Sequence, residues 1–257
     1  MIDYDELAAR VDTAACEATP IPQLTGAAGF PLDAAYEIQR ASIARQVGRG
    51  ESTVGVKLGF TSRAKMVQMG VDSLIWGWLT DAMLEEDGGR VALTRFIHPR
   101  VEPEVCFLTS RDIDRPLTLI EASRYLEAVA PAVEIIDSRY ENFRFSLEDV
   151  VADNCSSAGL VVGRWTRAFD SLRNAGVTMR VNGRIVESGS TAAILGDLLR
   201  PVVQASRLIA QSGITLPAGS LIMAGAATAA HALADGVHVQ CFVNGLGMTE
   251  FTTYRPS

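Results

Sequence analysis

The chain has 257 residues, 48% of them apolar and 21% charged, with a net charge of −7. Those values suit one globular domain, or a domain with a small N-terminal unit, and allow a large core. The negative balance, with no basic stripe, argues against nucleic acid as a partner. Apolar runs such as 219–230 are too short and too rich in Gly and Ala to span a membrane. The acidic start, Met1-Ile-Asp-Tyr-Asp-Glu6, is unlike a secretion signal. Cys16, Cys106, Cys155 and Cys241 show no paired spacing. They read as small buried residues in a reducing compartment, neither a zinc site nor a disulfide frame, and the cytoplasm is the expected location.

Residues 3–18 carry Leu7, Val11, Ala14 and Ala15 at helical spacing, and Pro20-Ile-Pro22 breaks that helix. Pro31 opens a second amphipathic helix through Val47, with Ala35, Ile38 and Ile43 on one side and Gly48-Arg-Gly50 at its end. Residues 53–60 predict a strand, and Ser62 predicts the cap of a short helix through Met69. After Gly88-Gly89 the character changes. Short runs rich in β-branched residues follow at 91–96, 101–108, 133–136, 160–162, 177–181, 221–223, 237–243 and 248–252. Asn182-Gly183 predicts a two-residue hairpin turn. Helices are expected at 119–129, 147–153 and 201–211. The pattern divides the chain into a small helical and mixed region, 1–85, and a β-rich domain with helical insertions, 86–257.

The chemistry concentrates in three glutamates. Glu102 and Glu104 lie in Val101-Glu-Pro-Glu-Val105, a strand pattern that places both side chains on one face. Pro103 between them points the other way and suits a strand edge or bulge. Glu134 lies in a second apolar run, among Ala132, Val133, Ile135 and Ile136, with no polar face to share. Buried carboxylates that close repel one another. A hard divalent cation such as Mg²⁺, which takes oxygen ligands and keeps positions open for substrate, makes such a group tolerable. The alternative for Glu102 and Glu104 alone is a solvated strand face.

Several ordered motifs accompany the glutamates: Gly55-Val-Lys-Leu-Gly-Phe-Thr-Ser62, Met69-Gly-Val71, Ile75-Trp-Gly77, His98-Pro-Arg-Val-Glu-Pro-Glu-Val105, Glu134-Ile-Ile-Asp-Ser-Arg-Tyr-Glu-Asn-Phe143 and Val151-Ala-Asp-Asn-Cys-Ser-Ser157. Together they resemble the fumarylacetoacetate hydrolase superfamily, and within it the decarboxylases and hydratases of aromatic meta-cleavage pathways. The resemblance runs from about Val54 to about Phe251. It implies an α+β fold: a mixed β-sandwich or β-roll with a small helical N-terminal part. It also implies Mg²⁺ or Mn²⁺ held by Glu102, Glu104 and Glu134, a small 2-oxo acid as substrate, and a homo-oligomer that associates with a hydratase.

Two sister activities share this scaffold, 4-oxalocrotonate decarboxylase and 2-hydroxypentadienoate hydratase. Hydratases usually carry Asp-Phe-Gly where this chain has Ile75-Trp76-Gly77, and the stretch from Asp137 to Phe143 resembles the decarboxylase form. A carboxylate at position 75 could activate water, whereas Ile cannot. The expected reaction is therefore decarboxylation of an unsaturated 2-oxo dicarboxylic acid to a 2-hydroxydienoate. A hydratase, and a non-catalytic partner subunit of one, are the alternatives. The chain departs from the family at Leu195-Gly-Asp-Leu-Leu199 and at Met223-Ala-Gly-Ala226, where Ala224 lacks a hydroxyl that relatives supply.

Lys57 sits mid-strand among apolar residues and is the candidate for the far carboxylate or for proton transfer; its other reading is an edge-strand guard. Gly70 and Val71 are expected to offer backbone N–H groups to the substrate. Ile75, Asp153 and Gly225 are expected to line the pocket. Asp137 and Arg139 read either as a pair supporting the ligands from behind or as a surface salt bridge. His98 reads as structural, and Trp76 and Trp78 as packing residues.

Overall fold

The computed structural model describes residues 3–26, 29–62, 66–67, 73–167, 169 and 172–256. Helix α1 (Tyr4–Glu17) starts where the Asp3 carboxylate accepts a hydrogen bond from Glu6 N at 3.0 Å. Helix α2 (Leu32–Gly48) starts directly after Pro31, whose fixed φ suits that place. The two helices are clamped by a buried charge. Asp12 accepts from Arg45 Nε at 3.1 Å and from both terminal nitrogens of Arg49 at 2.7 Å.

The strands are β1 (Thr53–Gly59), β2 (Ile75–Thr80), β3 (Leu84–Glu85), β4 (Arg90–Ala92), β5 (Arg100–Thr109), β6 (Leu126–Ile136), β7 (Ser157–Val162), β8 (Gly176–Val181), β9 (Arg184–Ser190), β10 (Leu221–Met223), β11 (His231–Ala232), β12 (His238–Val243) and β13 (Gly247–Tyr254). Between them lie helices α3 (Leu119–Ala122), α4 (Leu147–Ala152) and α5 (Leu199–Gln211). The larger sheet has the order β2-β1-β10-β5-β6-β7-β3, with β11 joined to β5; the smaller has the order β4-β13-β12-β8-β9. This is the mixed α+β architecture expected. β1 and β2 belong to the larger sheet, so that sheet draws strands from both sides of the 85/86 boundary. Among the described residues, α1 and α2 alone form a separate N-terminal layer.

Three local expectations change. The helix expected over 119–129 is confined to Leu119–Ala122, and from Leu126 the chain is strand. β6 pairs with β5 from Ile136 back to Leu126, and so long a ladder outweighs weak local helix preference. The strand expected at 91–96 is only Arg90–Ala92, followed by a 3₁₀ turn. Cys16 is exposed, whereas Cys106, Cys155 and Cys241 are buried; all four are free. The helix expected from Ser62 to Met69 lies mostly outside the described residues. Asn182-Gly183 does join β8 to β9, with φ of 50° and 77°, as a primed hairpin turn requires.

The main core lies between the sheets, with Val105, Phe107 and Val133 of the larger facing Met179, Val239 and Phe251 of the smaller. Alternation along β5 sends Val101, Val105 and Phe107 into that core and Glu102, Glu104 and Cys106 to the opposite face. Ala8, Ala35 and Ile38 of the N-terminal helices pack on Ile75, Val150, Val151 and Cys155. Pro103 occupies a central strand, neither edge nor bulge. Its carbonyl accepts from Ala227 N at 3.0 Å. A strand residue's N and O point the same way, so its missing N–H faces the irregular segment after β10 and costs no ladder bond. No described helix is long and apolar enough to cross a membrane.

Candidate metal centre and active site

Glu134 of β6 stands directly opposite Glu102 of β5, and Glu104 lies two residues along the same face. Their exposures are 6% for Glu102, 1% for Glu104 and 0% for Glu134. One carboxylate oxygen from each lies within 4.8 Å of the others. Glu104 Oε2 accepts from Gly225 N at 2.8 Å. Glu104 Oε1 and Glu134 Oε1 are buried with no hydrogen-bond partner. Burial raises the Glu104 carboxyl well above its ordinary range; Glu134 and Glu102 add to this, and Lys57 and the Gly225 N–H offset part of it. Burial also raises Glu134, against the pull of Lys57. Buried acceptors left without donors are costly, and a cation removes that cost. An all-oxygen set with unused lone pairs fits a hard divalent ion, Mg²⁺ or Mn²⁺, better than zinc.

Lys57 of β1 is buried, with Nζ 3.1 Å from Glu134 Oε2 and donating to the Cys155 carbonyl at 3.0 Å. Burial alone would lower its pKa. The Glu134 carboxylate, followed by Cys155 and the other two glutamates, reverses this and holds the ammonium above its ordinary value. Lys57 therefore carries its proton at neutral pH, and the edge-strand alternative is excluded by its burial between β2 and β10.

The carbonyl that receives Lys57 belongs to an unusual turn. Asn154, Cys155 and Ser156 all have left-handed backbone, with φ of 47°, 53° and 59°. Each such residue costs roughly 1 kcal/mol, so the turn persists only because its surroundings impose it. The Asn154 amide accepts from Trp78 N at 2.8 Å and donates to Trp78 O at 2.9 Å, imitating a neighbouring strand. Gly77 permits this approach, since a Cβ there would stand 2.6 Å from the Asn154 carbonyl. From α2, Gln39 Nε2 donates to Trp76 O at 3.1 Å and to Val151 O at 2.9 Å, tying the helical layer to the site.

A cavity of about 260 Å³ opens on this cluster, lined by Lys57, Glu102, Ile75, Arg100, Phe143 and Ser156 among others. Ser156 Oγ is buried with no hydrogen-bond partner. It follows Asp153-Asn-Cys in the chain, and no sequence pattern marks its side chain as part of the site. A second cavity, of about 240 Å³, borders Asp137 and Arg139 and touches none of the three glutamates.

The other expected residues divide. Ile75 lines the first cavity. Gly225 directs its N–H at Glu104, and its φ of +100° with a would-be Cβ 2.1 Å from Thr61 Oγ1 admits no side chain. Asp153 faces Arg139, not the cavity: its Oδ1 lies 2.8 Å from Arg139 Nε, and its Oδ2 accepts from Arg139 N at 3.0 Å. Burial pushes the Asp153 carboxyl up to about 7, against Arg139. Asp137 and Arg139 are both buried, but their side chains do not pair. Asp137 instead accepts from Ile97 N and His98 N, each at 2.7 Å, fixing the turn that launches β5. Gly70 and Val71 lie outside the described residues. His98 bonds the Tyr140 carbonyl at 2.9 Å, in keeping with a structural role. Trp76 and Trp78 pack edge to face, and Trp76 stacks on Tyr36.

Known proteins resemble the chain over most of its length. Residues 52–253 match the family model described as fumarylacetoacetate (FAA) hydrolase C-terminal. A 4-oxalocrotonate decarboxylase of Pseudomonas sp is 53% identical over 247 residues, 96% of each chain. A 2-keto-4-pentenoate hydratase of Paraburkholderia xenovorans is 36% identical over 226 residues, 86% of this chain and 84% of that one. Among solved structures, 4-oxalocrotonate decarboxylase from Pseudomonas putida G7, complexed with magnesium and adipate, superposes with a TM-score of 0.93 at 37% identity, covering 97% of both chains.

Proposed function

The chain belongs to the fumarylacetoacetate hydrolase family, and from that premise we propose that it is a carboxy-lyase converting an unsaturated 2-oxo dicarboxylic acid of the 4-oxalocrotonate type to a 2-hydroxydienoate and CO₂. The observation that carries the reading is 53% identity over 96% of both chains to a 4-oxalocrotonate decarboxylase, set against 36% to a hydratase. Ile75 supports it, because an apolar side chain lines the cavity where a hydratase usually places an acid.

Glu102, Glu104 and Glu134 would hold Mg²⁺ or Mn²⁺, and the related enzyme was solved with magnesium and a dicarboxylate. When bound, the ion supplies a two-point anchor for a 2-oxo acid and stabilises negative charge on its 2-oxo oxygen. The protein's own groups do the rest. The bond to the remote carboxylate breaks, CO₂ leaves, and the electron pair passes along the conjugated chain to the 2-oxo oxygen. Lys57, protonated and beside the cluster, is placed to deliver the proton that completes the enol. Ile75 and the buried flank of the cavity exclude water from the diene, so addition does not compete. The product, a 2-hydroxydienoate, is the substrate of the sister hydratases. We place the protein in the cytoplasm, as a homo-oligomer that associates with such a hydratase.

The test is to incubate purified protein with Mg²⁺ and 4-oxalocrotonate and to follow substrate absorbance and CO₂ release together. CO₂ in step with substrate loss supports the reading. Efficient hydration of 2-hydroxypentadienoate without CO₂ release from 4-oxalocrotonate would overturn it.

A further inference from the structure

The decarboxylation reading requires two anion sites in one cavity, and the three glutamates with their cation account for only one. Lys57, the first candidate for the remote carboxylate, is already held by Glu134 at 3.1 Å and by the Cys155 carbonyl at 3.0 Å. Arg139 is held by Asp153 and opens on the other cavity. Arg100 differs from both. It begins β5, two residues before Glu102, so alternation puts it on the same face as Glu102 and Glu104. It lines the cavity and is half-buried. Its guanidinium lies over the Phe143 ring, 4.5 Å from the centroid, and has no carboxylate partner among the described residues. The three carboxylates, Lys57 and a divalent cation balance to neutrality, which leaves Arg100 as the surplus positive charge among the described residues that line the cavity.

We propose that Arg100, seated on Phe143, receives the remote carboxylate of the substrate and makes the site select dicarboxylic over monocarboxylic 2-oxo acids. A guanidinium is suited to this because its planar fork takes a carboxylate by two parallel hydrogen bonds while its face rests on an aromatic ring. The contact belongs to the bound substrate, since the carboxylate it holds departs as neutral CO₂. Its loss therefore raises KM and erodes binding selectivity without lowering kcat.

The assignment rests on the decarboxylase reading but is tested apart from it, by calorimetric binding to the Mg²⁺-loaded protein. The probes are 2-oxoadipate and 2-oxohexanoate, which share the chelating end and differ only in the remote carboxylate. Arg100→Met is expected to weaken 2-oxoadipate on the order of tenfold to a hundredfold, as loss of a charge-assisted hydrogen bond does. Binding of 2-oxohexanoate, Mg²⁺ affinity and melting temperature are expected to stay at wild-type values. Arg100→Lys, which keeps the charge without the fork, is expected to fall between and serves if the methionine variant folds poorly. On 4-oxalocrotonate, KM rises in both variants and kcat does not fall. Equal weakening of the two acids, no weakening of 2-oxoadipate, or a wild type that binds both acids equally would each overturn the assignment. A wild type that favours 2-oxoadipate through Arg100, yet releases no CO₂ from 4-oxalocrotonate, keeps the assignment and removes the decarboxylase reading.

Discussion

Glu134 faces Glu102 across the β5–β6 ladder, two buried acids in directly opposed positions. Like charges so placed destabilise a sheet, and one carboxylate oxygen of each lies within 4.8 Å of one from Glu104. The arrangement is stable only when a cation or protons neutralise it, and that condition generates the first two predictions.

Glu102→Gln, Glu104→Gln and Glu134→Gln are each expected to weaken Mg²⁺ binding, measured by calorimetry, and to cut turnover. Their metal-free stabilities should differ. Glu104→Gln relieves repulsion and raises the thermal midpoint. Glu134→Gln leaves the Lys57 ammonium without its nearest partner and lowers stability, on the order of 3 kcal/mol. Three variants that bind Mg²⁺ as wild type would place the metal elsewhere.

The same carboxyls set a pH dependence. Glu104 and Glu134 are raised above 4.5 in the folded metal-free protein, so that state holds protons the unfolded chain releases. Stability contributed by these groups is complete below their ordinary range and is lost as pH rises through the raised values. Mg²⁺ competes with those protons. Between about pH 5 and about pH 8 the metal-free midpoint should fall and the upward shift caused by Mg²⁺ should grow. A shift that shrinks over this range counts against the cluster as the metal site.

Lys57→Met should reduce decarboxylation about a hundredfold or more if the ammonium delivers the proton. From sequence, little change in melting temperature is expected. The contact with Glu134 alters that: without Lys57, the metal-free protein should melt lower, and saturating Mg²⁺ should restore most of the loss. Activity retained per folded molecule would make Lys57 structural.

Ile75→Asp should damage decarboxylation, because a new anion beside the cavity opposes entry of a dicarboxylate. Traces of hydration are the most it should gain, since one change does not supply the surrounding groups a new activity needs. Product identity by mass spectrometry on 4-oxalocrotonate and 2-hydroxypentadienoate decides this.

Gly225→Ala should lose Mg²⁺ affinity without touching a ligand side chain. Its φ is unfavourable for alanine and the added methyl collides with Thr61, so the N–H that holds Glu104 must move. Metal affinity equal to wild type, measured by titration, would show that Glu104 needs no such anchor.

The sequence by itself determined the local patterns: the shared face of Glu102 and Glu104, the Asn182-Gly183 turn, both N-terminal helices, and the family to which the motifs belong. These depend on backbone period and turn chemistry, which a few neighbouring residues specify. Only the tertiary structure decided that Glu134 faces Glu102, that Lys57 meets Glu134, that Arg139 takes Asp153 and leaves Asp137 to a turn, and that Arg100 rests on Phe143 with no carboxylate partner among the described residues. It also decided that residues after Leu126 form a strand and that Asn154, Cys155 and Ser156 turn left-handed. Those outcomes follow from ladder register and from the cost of leaving buried polar groups without partners, both of which are set by segments far apart in the chain.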